Sequence, residues 1–296
     1  MPVKAVARSI PSAGGLVREG VRWYEANLLT ATSLDRVLGH GDIVCNLAYM
    51  ADADESANVA MINKIIEACW RANVSRMVHC STAVVSGAAR SLQIRESDAC
   101  MPVGGYEKTK WVLERRVLAS LREGFDVGIL RPTAIVGPGG ENLLKLATSL
   151  QSGKRAFNYL RASVLKNRPM HLVSVRDVTA ALLHLVGMPI ALGGNIYHVS
   201  ADDDVNNDYE RIEAILLRSL GLPARRVPLL PIPDVLRSLV FGMMGRSELT
   251  IRSKYDSRKL LDTGFKSTDS VANAVFEFGA ALRTGGHEDK TLSENH

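Results

Sequence analysis

The chain has 296 residues, of which 46% are hydrophobic and 23% charged, an ordinary balance for a globular protein with a sizeable core in one or two domains. No run of about 18 apolar residues exists, which argues against a membrane span, and the start MPVKAVARSI has no long apolar stretch leading to a cleavage site, so it does not read as a signal peptide. The net charge of +5 is modest and its cations are scattered, which disfavours nucleic acid and suits an anionic small molecule.

In chain order, VKAVAR (3–8) reads as a short strand, and Gly14, Gly15 and Gly20 fall in a connecting loop. VRWYEANLL (21–29) is a second strand, and TATSLDRVL (30–38) a short helix capped by Thr30 or Thr32. DIVCNLAYM (42–50) is a continuous apolar run of the kind a buried parallel strand shows. In 55–74, Val59, Ile62, Ile65, Ile66 and Cys69 recur at helical spacing. SRMVHCSTAVVSG (75–87) is a strand entering a turn, 106–124 a helix stopped by Gly124, and 125–140 a strand ending in a Gly/Pro loop. This alternation predicts βαβ units, a parallel sheet and helices on both faces.

Beyond residue 140 the rhythm loosens into helices at ENLLKLATSLQSG, RDVTAALLHLVGM and NDYERIEAILLRSLG, with strands at MHLVSV and GNIYHVS. A proline-rich connector, PARRVPLLPIPDV, leads to PIPDVLRSLVFGMMG, whose apolar character without a basic polar face predicts a core or interface helix. The polar tail from Thr284 to His296 reads as disordered. Cys45, Cys69, Cys80 and Cys100 form no C-x-x-C pattern; Cys45 and Cys80 lie in apolar runs, and a reducing, cytoplasmic setting fits. His79, His171, His184 and His198 sit on different elements without ligand spacing, so no metal site is expected.

Tyr106 and Lys110 stand four residues apart on one face of the helix in YEKTK. Upstream, CSTAVVSG ends a strand with Ser81 and Thr82, and the carboxyl ends of strands are where open parallel sheets bind ligands. A free phenol has a pKa of about 10 and is a poor base at neutral pH; a neighbouring ammonium favours the phenolate. A threonine hydroxyl orienting the same oxygen completes an arrangement that can deprotonate an alcohol while its carbon loses hydride.

These motifs, in this order, resemble the extended short-chain dehydrogenase/reductases, in particular the NAD-dependent epimerase/dehydratase group. NLAYM is similar to the family's N-x-A loop, ANVAMINKIIEAC to its N-V-x-G-T helix, and VHCSTAVVSG to its SSxxVYG strand end, with Ser86 where a tyrosine is commoner. YEKTK looks like the catalytic pair, LRPTAIVGPG like the segment beside the nicotinamide, and MHLVSVRDVTAALL and KYDSRKLLDTGF like two later family stretches. The resemblance covers about residues 3–282. It implies a Rossmann-like α/β core over 1–140, rejoined by 170–200, a small substrate-binding α/β lobe over 141–283, and a tail at 284–296. It implies NAD or NADP as cofactor and Thr82, Tyr106 and Lys110 as catalytic residues, Thr82 also touching substrate.

The family's G-x-x-G-x-x-G, which lets backbone approach the pyrophosphate at a helix N-terminus, has no counterpart. VKAVARS instead resembles the family's second strand, which places the first strand and helix, roughly 25–30 residues, upstream of Met1. Two flanking strands would then lose a partner or be forced together, and a degenerate, cofactor-poor and non-enzymatic relative is the competing expectation. The resemblance assigns cofactor contacts to Arg8, Asn27, Leu28, Leu47, Ala48, Asn58 and Pro132 beside Tyr106 and Lys110; Arg8 suits a 2′-phosphate, so NADP fits as well as NAD.

The activity implied is an epimerase (isomerase) or oxidoreductase acting on a hydroxyl or ketone, first of a nucleotide-sugar, alternatively of a steroid-like or flavonoid-like ketone. Ala83 after Thr82, without an Asp-Glu pair, disfavours dehydration. Arg161, Lys166, Arg168 and Arg252 are the cations available to grip an anionic substrate. A homodimer is expected from the resemblance, and the row Trp111, Val112, Val117, Leu118 and Leu121 is compatible with it.

Overall fold

A computed structural model describes residues 2–10, 19–30, 32–87, 91–233 and 252–293, with side chains to Thr284. Strands β1 (Val3–Ala7) and β2 (Val21–Glu25) pair in parallel, Val3 opposite Val21. Strand β3 (Ile43–Asn46) is followed by helix α1 (Glu55–Arg71) and then by β4 (Arg76–Cys80), parallel to β3 with Asn46 opposite His79. A parallel pair needs such a crossover, and α1 supplies it. Strand β5 (Gln93–Ile94), helix α2 (Gly105–Ala119), and strands β6 (Asp126–Pro132) and β7 (Ala134–Val136) come next.

Helices α3 (Leu144–Gln151) and α4 (Arg155–Leu165) precede β8 (Leu172–Ser174), α5 (Val175–Gly187), β9 (Ile196–Val199) and α6 (Tyr209–Ser219). Strand β10 (Lys254–Tyr255), α7 (Arg258–Leu261) and α8 (Val271–Ser293) complete the described chain. The sheets run β1-β2, β3-β4-β6-β9, β7-β8 and β5-β10, an α/β architecture with parallel pairing. β1 and β3, the strands expected to flank a missing one, stand in different sheets and are not paired with each other.

The chain divides into two compact units: residues 1–81, 104–129 and 185–196, and residues 82–103, 130–184 and 197–296. A cut at residue 140 does not describe this division. Pairing of β7 with β8 and of β5 with β10 draws 82–103 and 130–140 into the second unit, and of 170–200 only 185–196 joins the first. In the first unit α1 and α2 cover the sheet, burying Ile62, Ile65, Ile66, Cys69, Leu113 and Val117 against Met77, Val127 and Ile129. The second unit has its own core of α3, α4, α6 and α8, centred on Ala147, Ala162, Ile212, Leu216, Val275 and Phe278.

Among the described residues of 30–38, turns stand where a helix was expected. Asn27 Oδ1 takes the Leu29 amide, and successive turns follow, Ser33 N to Thr30 O, Asp35 N to Thr32 O and Val37 N to Leu34 O, so local side-chain bonding competes with helix propagation. Gly124 does not stop α2, which ends at Ala119 with Ser120 as its cap; with φ of 78° it shapes the Arg122–Phe125 turn into β6. The tail from Thr284 is helical through Ser293, since a helix nucleated by its buried turns propagates at one hydrogen bond per residue whatever its polarity. Gly14, Gly15 and most of PIPDVLRSLVFGMMG lie outside the described residues.

The first unit is closed by Arg76 at the head of β4. Its Nε meets Asp126 Oδ2 at 2.9 Å, while its two terminal nitrogens donate to the carbonyls of Met188 (2.7 Å) and Ile190 (2.8 Å). Asp126 in turn accepts the Leu192 and Gly193 amides, both at 2.8 Å. Removing one partner of so shielded a pair strands the other. We expect Arg76→Met to lose about 3 kcal/mol of unfolding free energy. A lower urea midpoint at constant m value would show it, and an unshifted midpoint would contradict this clasp.

Candidate active site

Asp54 caps α1 through the Ala57 amide (2.8 Å), and Asn58, wholly buried one turn later, reaches back to the loop after β3. Its Oδ1 accepts the Met50 amide and its Nδ2 donates to the carbonyls of Met50 and Asp54, each at 3.0 Å. Both amide protons are therefore spent on the chain itself. Asn58 thereby fixes the 46–54 loop. At the start of that loop Asn46 Oδ1 accepts the Ala48 amide at 3.1 Å, so its Nδ2 is the group facing His79 Nδ1 at 3.0 Å.

Helix α2 has Gly104 at its cap and no capping side chain, but Glu107 accepts the Gly104 amide at 3.2 Å. At the second position of the helix, Tyr106 is 48% exposed and meets the Tyr49 ring edge-on, with centroids 5.3 Å apart and planes at 88°. Lys110 is buried; its Nζ lies 4.8 Å from the centroid of the same Tyr49 ring and donates to the Cys80 carbonyl at 3.4 Å. Tyr106 and Lys110 are thus joined through Tyr49, a residue the sequence reading did not single out. An aromatic residue within the quoted NLAYM loop was the available signal.

Burial lowers the Lys110 pKa from the usual lysine range, while Cys80 and the buried Glu114 pull it back up. Burial also raises the Tyr49 phenol and the Cys80 thiol, the latter opposed by Lys110. His79 is pushed down to about 3 by burial and then by the Lys110 charge. Because Nδ1 accepts from Asn46, the neutral imidazole carries its proton on Nε2, and that nitrogen has no partner among the described residues.

Thr82 opens the second unit, directly after Ser81 of the first. It caps a 3₁₀ turn (Ala83–Ser86), accepting the Val84 amide at 3.5 Å, a long contact that uses one lone pair. Gly87 closes the turn with φ of 70°, and a Cβ there would stand 1.8 Å from the Met101 carbonyl oxygen, so only glycine fits. Of the expected cofactor residues, Arg8 and Asn27 are exposed beyond β1 and β2, Leu28 packs partly on the core, Leu47 is exposed after β3 with Ala48 beside it, and Pro132 is buried at the end of β6.

The substrate-gripping cations do not form one cluster of available charge. Arg161 donates to Ser149 Oγ (3.1 Å) and Asn158 Oδ1 (2.9 Å) and stacks over Phe157, while Lys166 pairs with Glu210 at 3.8 Å. Arg168 acts with Arg161 on the buried Tyr209, and Arg252 is exposed. In the apolar row on α2, Val117 is wholly buried and Leu118 packs partly on the same core, so these two serve the monomer.

A histidine held neutral in the fold but protonated near pH 6.5 when unfolded stabilises fully above that pH, and its contribution is lost as pH falls from 6.5 toward 3. His79→Phe should therefore remove about 2 kcal/mol of the stability decline between pH 7 and pH 5. Urea titrations of both proteins at the two pH values test this; identical declines would exclude a buried neutral His79.

Known proteins share this fold. A UDP-galactose 4-epimerase structure superposes with a TM-score of 0.66 at 17% identity, covering 96% of this chain and 91% of that one. The dTDP-glucose 4,6-dehydratase of Streptomyces venezuelae, solved with NAD bound, gives 0.69 at 20% identity over 97% and 89%. Short-chain dehydrogenase/reductase family 42E member 1 of Macaca fascicularis is 25% identical over 257 residues, 77% of this chain and 64% of that protein's length. A 4-hydroxy-2-methyl-3-oxo-4-farnesyl-3,4-dihydroquinoline-1-oxide ketoreductase of Stigmatella aurantiaca is 25% identical over 75% of this chain and 67% of its own. Residues 3–200, more than half of the chain, match the NAD dependent epimerase/dehydratase family, and the chain belongs to that family.

Proposed function

We propose that the protein is a nicotinamide-dependent oxidoreductase or epimerase that interconverts a secondary hydroxyl and a ketone. The observation that carries this reading is the half-exposed Tyr106 and the buried Lys110 meeting on one Tyr49 ring in a member of this family. Tyr106 Oη takes the hydroxyl proton in oxidation and returns it in reduction. Lys110, kept in place by the Cys80 carbonyl, supplies the positive charge that favours the phenolate. Thr82 binds the reacting oxygen through its hydroxyl.

Leu47 and Ser81 of the first unit fit the nicotinamide-ribose half of NAD or NADP. Leu47 is exposed at the carboxyl end of β3, and the Ser81 hydroxyl, buried at the end of β4, has no partner among the described residues. Arg8, Asn27 and Leu28 are assigned to the adenosine half and Ala48, Tyr106 and Lys110 to the rest of the cofactor, with Pro132, which belongs to the second unit, as a further assigned contact. When bound, that group supplies hydride transfer at the carbon bearing the oxygen. No glycine-rich cradle stands among the described residues, and no pyrophosphate contact is assigned.

For the substrate, an apolar ketone is favoured over a nucleotide-sugar, because Arg161 and Lys166 already have protein partners and a relative of similar identity is a ketoreductase. The second reading, a nucleotide-sugar, has the support of a dTDP-4-dehydrorhamnose reductase relative from Mycobacterium tuberculosis, 25% identical over 65% of this chain. A homodimer is proposed with either.

Calorimetric titration with NAD and NADPH separates the enzyme from a cofactor-poor relative, which would give no heat. Tyr106→Phe should lower kcat about 1000-fold while changing cofactor affinity little. Wild-type turnover in that variant would refute the proton-transfer role. Apolar ketones rather than UDP- or TDP-sugars should raise the melting temperature, since a ligand of the native state stabilises by mass action.

A further inference from the structure

We propose, resting on the proton-transfer reading of Tyr106 and Lys110, that Tyr49 is a positioning residue for the reaction whose ring, rather than its hydroxyl, holds the Lys110 ammonium beside Tyr106. Spacing on α2 puts Tyr106 and Lys110 on one face, but it fixes only where their side chains start. A lysine stem is flexible, and its ammonium has no fixed place until something holds it. The Cys80 carbonyl does so weakly, since 3.4 Å lies beyond the usual N–H···O range of about 2.7–3.2 Å. The Tyr49 ring is the second hold. Lys110 Nζ stands 4.8 Å from its centroid, inside the roughly 6 Å over which a ring face attracts a cation. The same ring meets Tyr106 edge-on at 5.3 Å, a favoured aromatic pairing that restrains the phenol.

Tyr49 is itself held in place. It lies between Ala48, whose amide bonds Asn46, and Met50, which Asn58 grips through both backbone groups. Its side chain packs partly on the core of the first unit. Among the described residues its hydroxyl has no hydrogen-bond partner, and its pKa is raised by burial. The ring therefore carries the contacts. The other groups acting on Lys110 and its surroundings are Cys80 and His79 from β4 and Glu114 from α2. Glu114 favours the charged form of the lysine; the Tyr49 ring sets where that charge stands relative to Tyr106.

Nuclear magnetic resonance of the whole chain, with isotope-labelled lysine and tyrosine, tests this without substrate. The Lys110 Cε protons should be displaced upfield by the Tyr49 ring current, keep that displacement in Tyr49→Phe and lose it in Tyr49→Leu. Tyr106 should ionise as in wild type in Tyr49→Phe. In Tyr49→Leu its ionisation constant should fall about tenfold, because the ammonium is no longer held near it. A residue that merely filled space would leave the Tyr106 titration unmoved. Should Tyr49→Leu fail to fold, the wild-type spectrum decides: Lys110 protons without upfield displacement would overturn the proposal. So would equal Tyr106 titrations in wild type and folded Tyr49→Leu, or a Tyr49→Phe that behaves like Tyr49→Leu. Failure of the enzymatic reading is a separate outcome, seen as no heat with NAD and NADPH while these resonances behave as stated.

Discussion

An ammonium taken out of water must be given partners, and in the first unit that ammonium is Lys110. Its Nζ is held between the Cys80 carbonyl and the Tyr49 ring, with Glu114 adding a favourable charge from one turn further along α2. A lysine so placed is a fixed positive charge rather than a mobile surface one, since its flexible stem has been immobilised by packing. Burial first, and this charge second, set the state of its neighbour His79. His79 is kept neutral, and neutral His79 can accept from Asn46 through Nδ1.

That acceptance orients the loop after β3. With Nδ2 committed to His79, Asn46 Oδ1 takes the Ala48 amide, while Asn58 grips Met50 from the opposite end. Tyr49 lies between these two clamps, and its ring is where Tyr106 and Lys110 meet. The candidate proton-transfer residue is thus positioned by a chain of partly buried polar contacts running from helix to sheet to loop. Such networks are rigid only while every member is satisfied, and among the described residues the His79 Nε2 and the Ser81 hydroxyl are buried groups left unanswered.

Much of the α/β alternation was legible because buried elements write their period into the sequence. The apolar row in α1 falls where periodicity places it and β4 and β6 lie in stretches read as strands, whereas the run read as a buried strand at 42–50 forms only the short β3, with Ile43 and Cys45 exposed. The misread stretches are those where local polar bonding or chain continuity competes with pattern. Asn27 diverts 27–38 into turns, and α8 carries helix past the point where composition turns polar. At the candidate site, the Tyr106–Lys110 spacing and the strand-end hydroxyls could be read directly, but the role of Asn58 could not. An asparagine's donors are indistinguishable in sequence until their acceptors, here Met50 and Asp54, are brought alongside.

The sequence by itself determined the α/β alternation up to residue 140, the helical face shared by Tyr106 and Lys110 and the strand-end position of Thr82, because each depends on spacing within one segment. Only the tertiary structure decided that Tyr49 joins Tyr106 to Lys110, that Asn58 serves the loop, and that Arg161 is engaged by Ser149 and Asn158. Those outcomes depend on which side chains meet across distant segments, and the burial and charge created there set the protonation of His79 and Lys110.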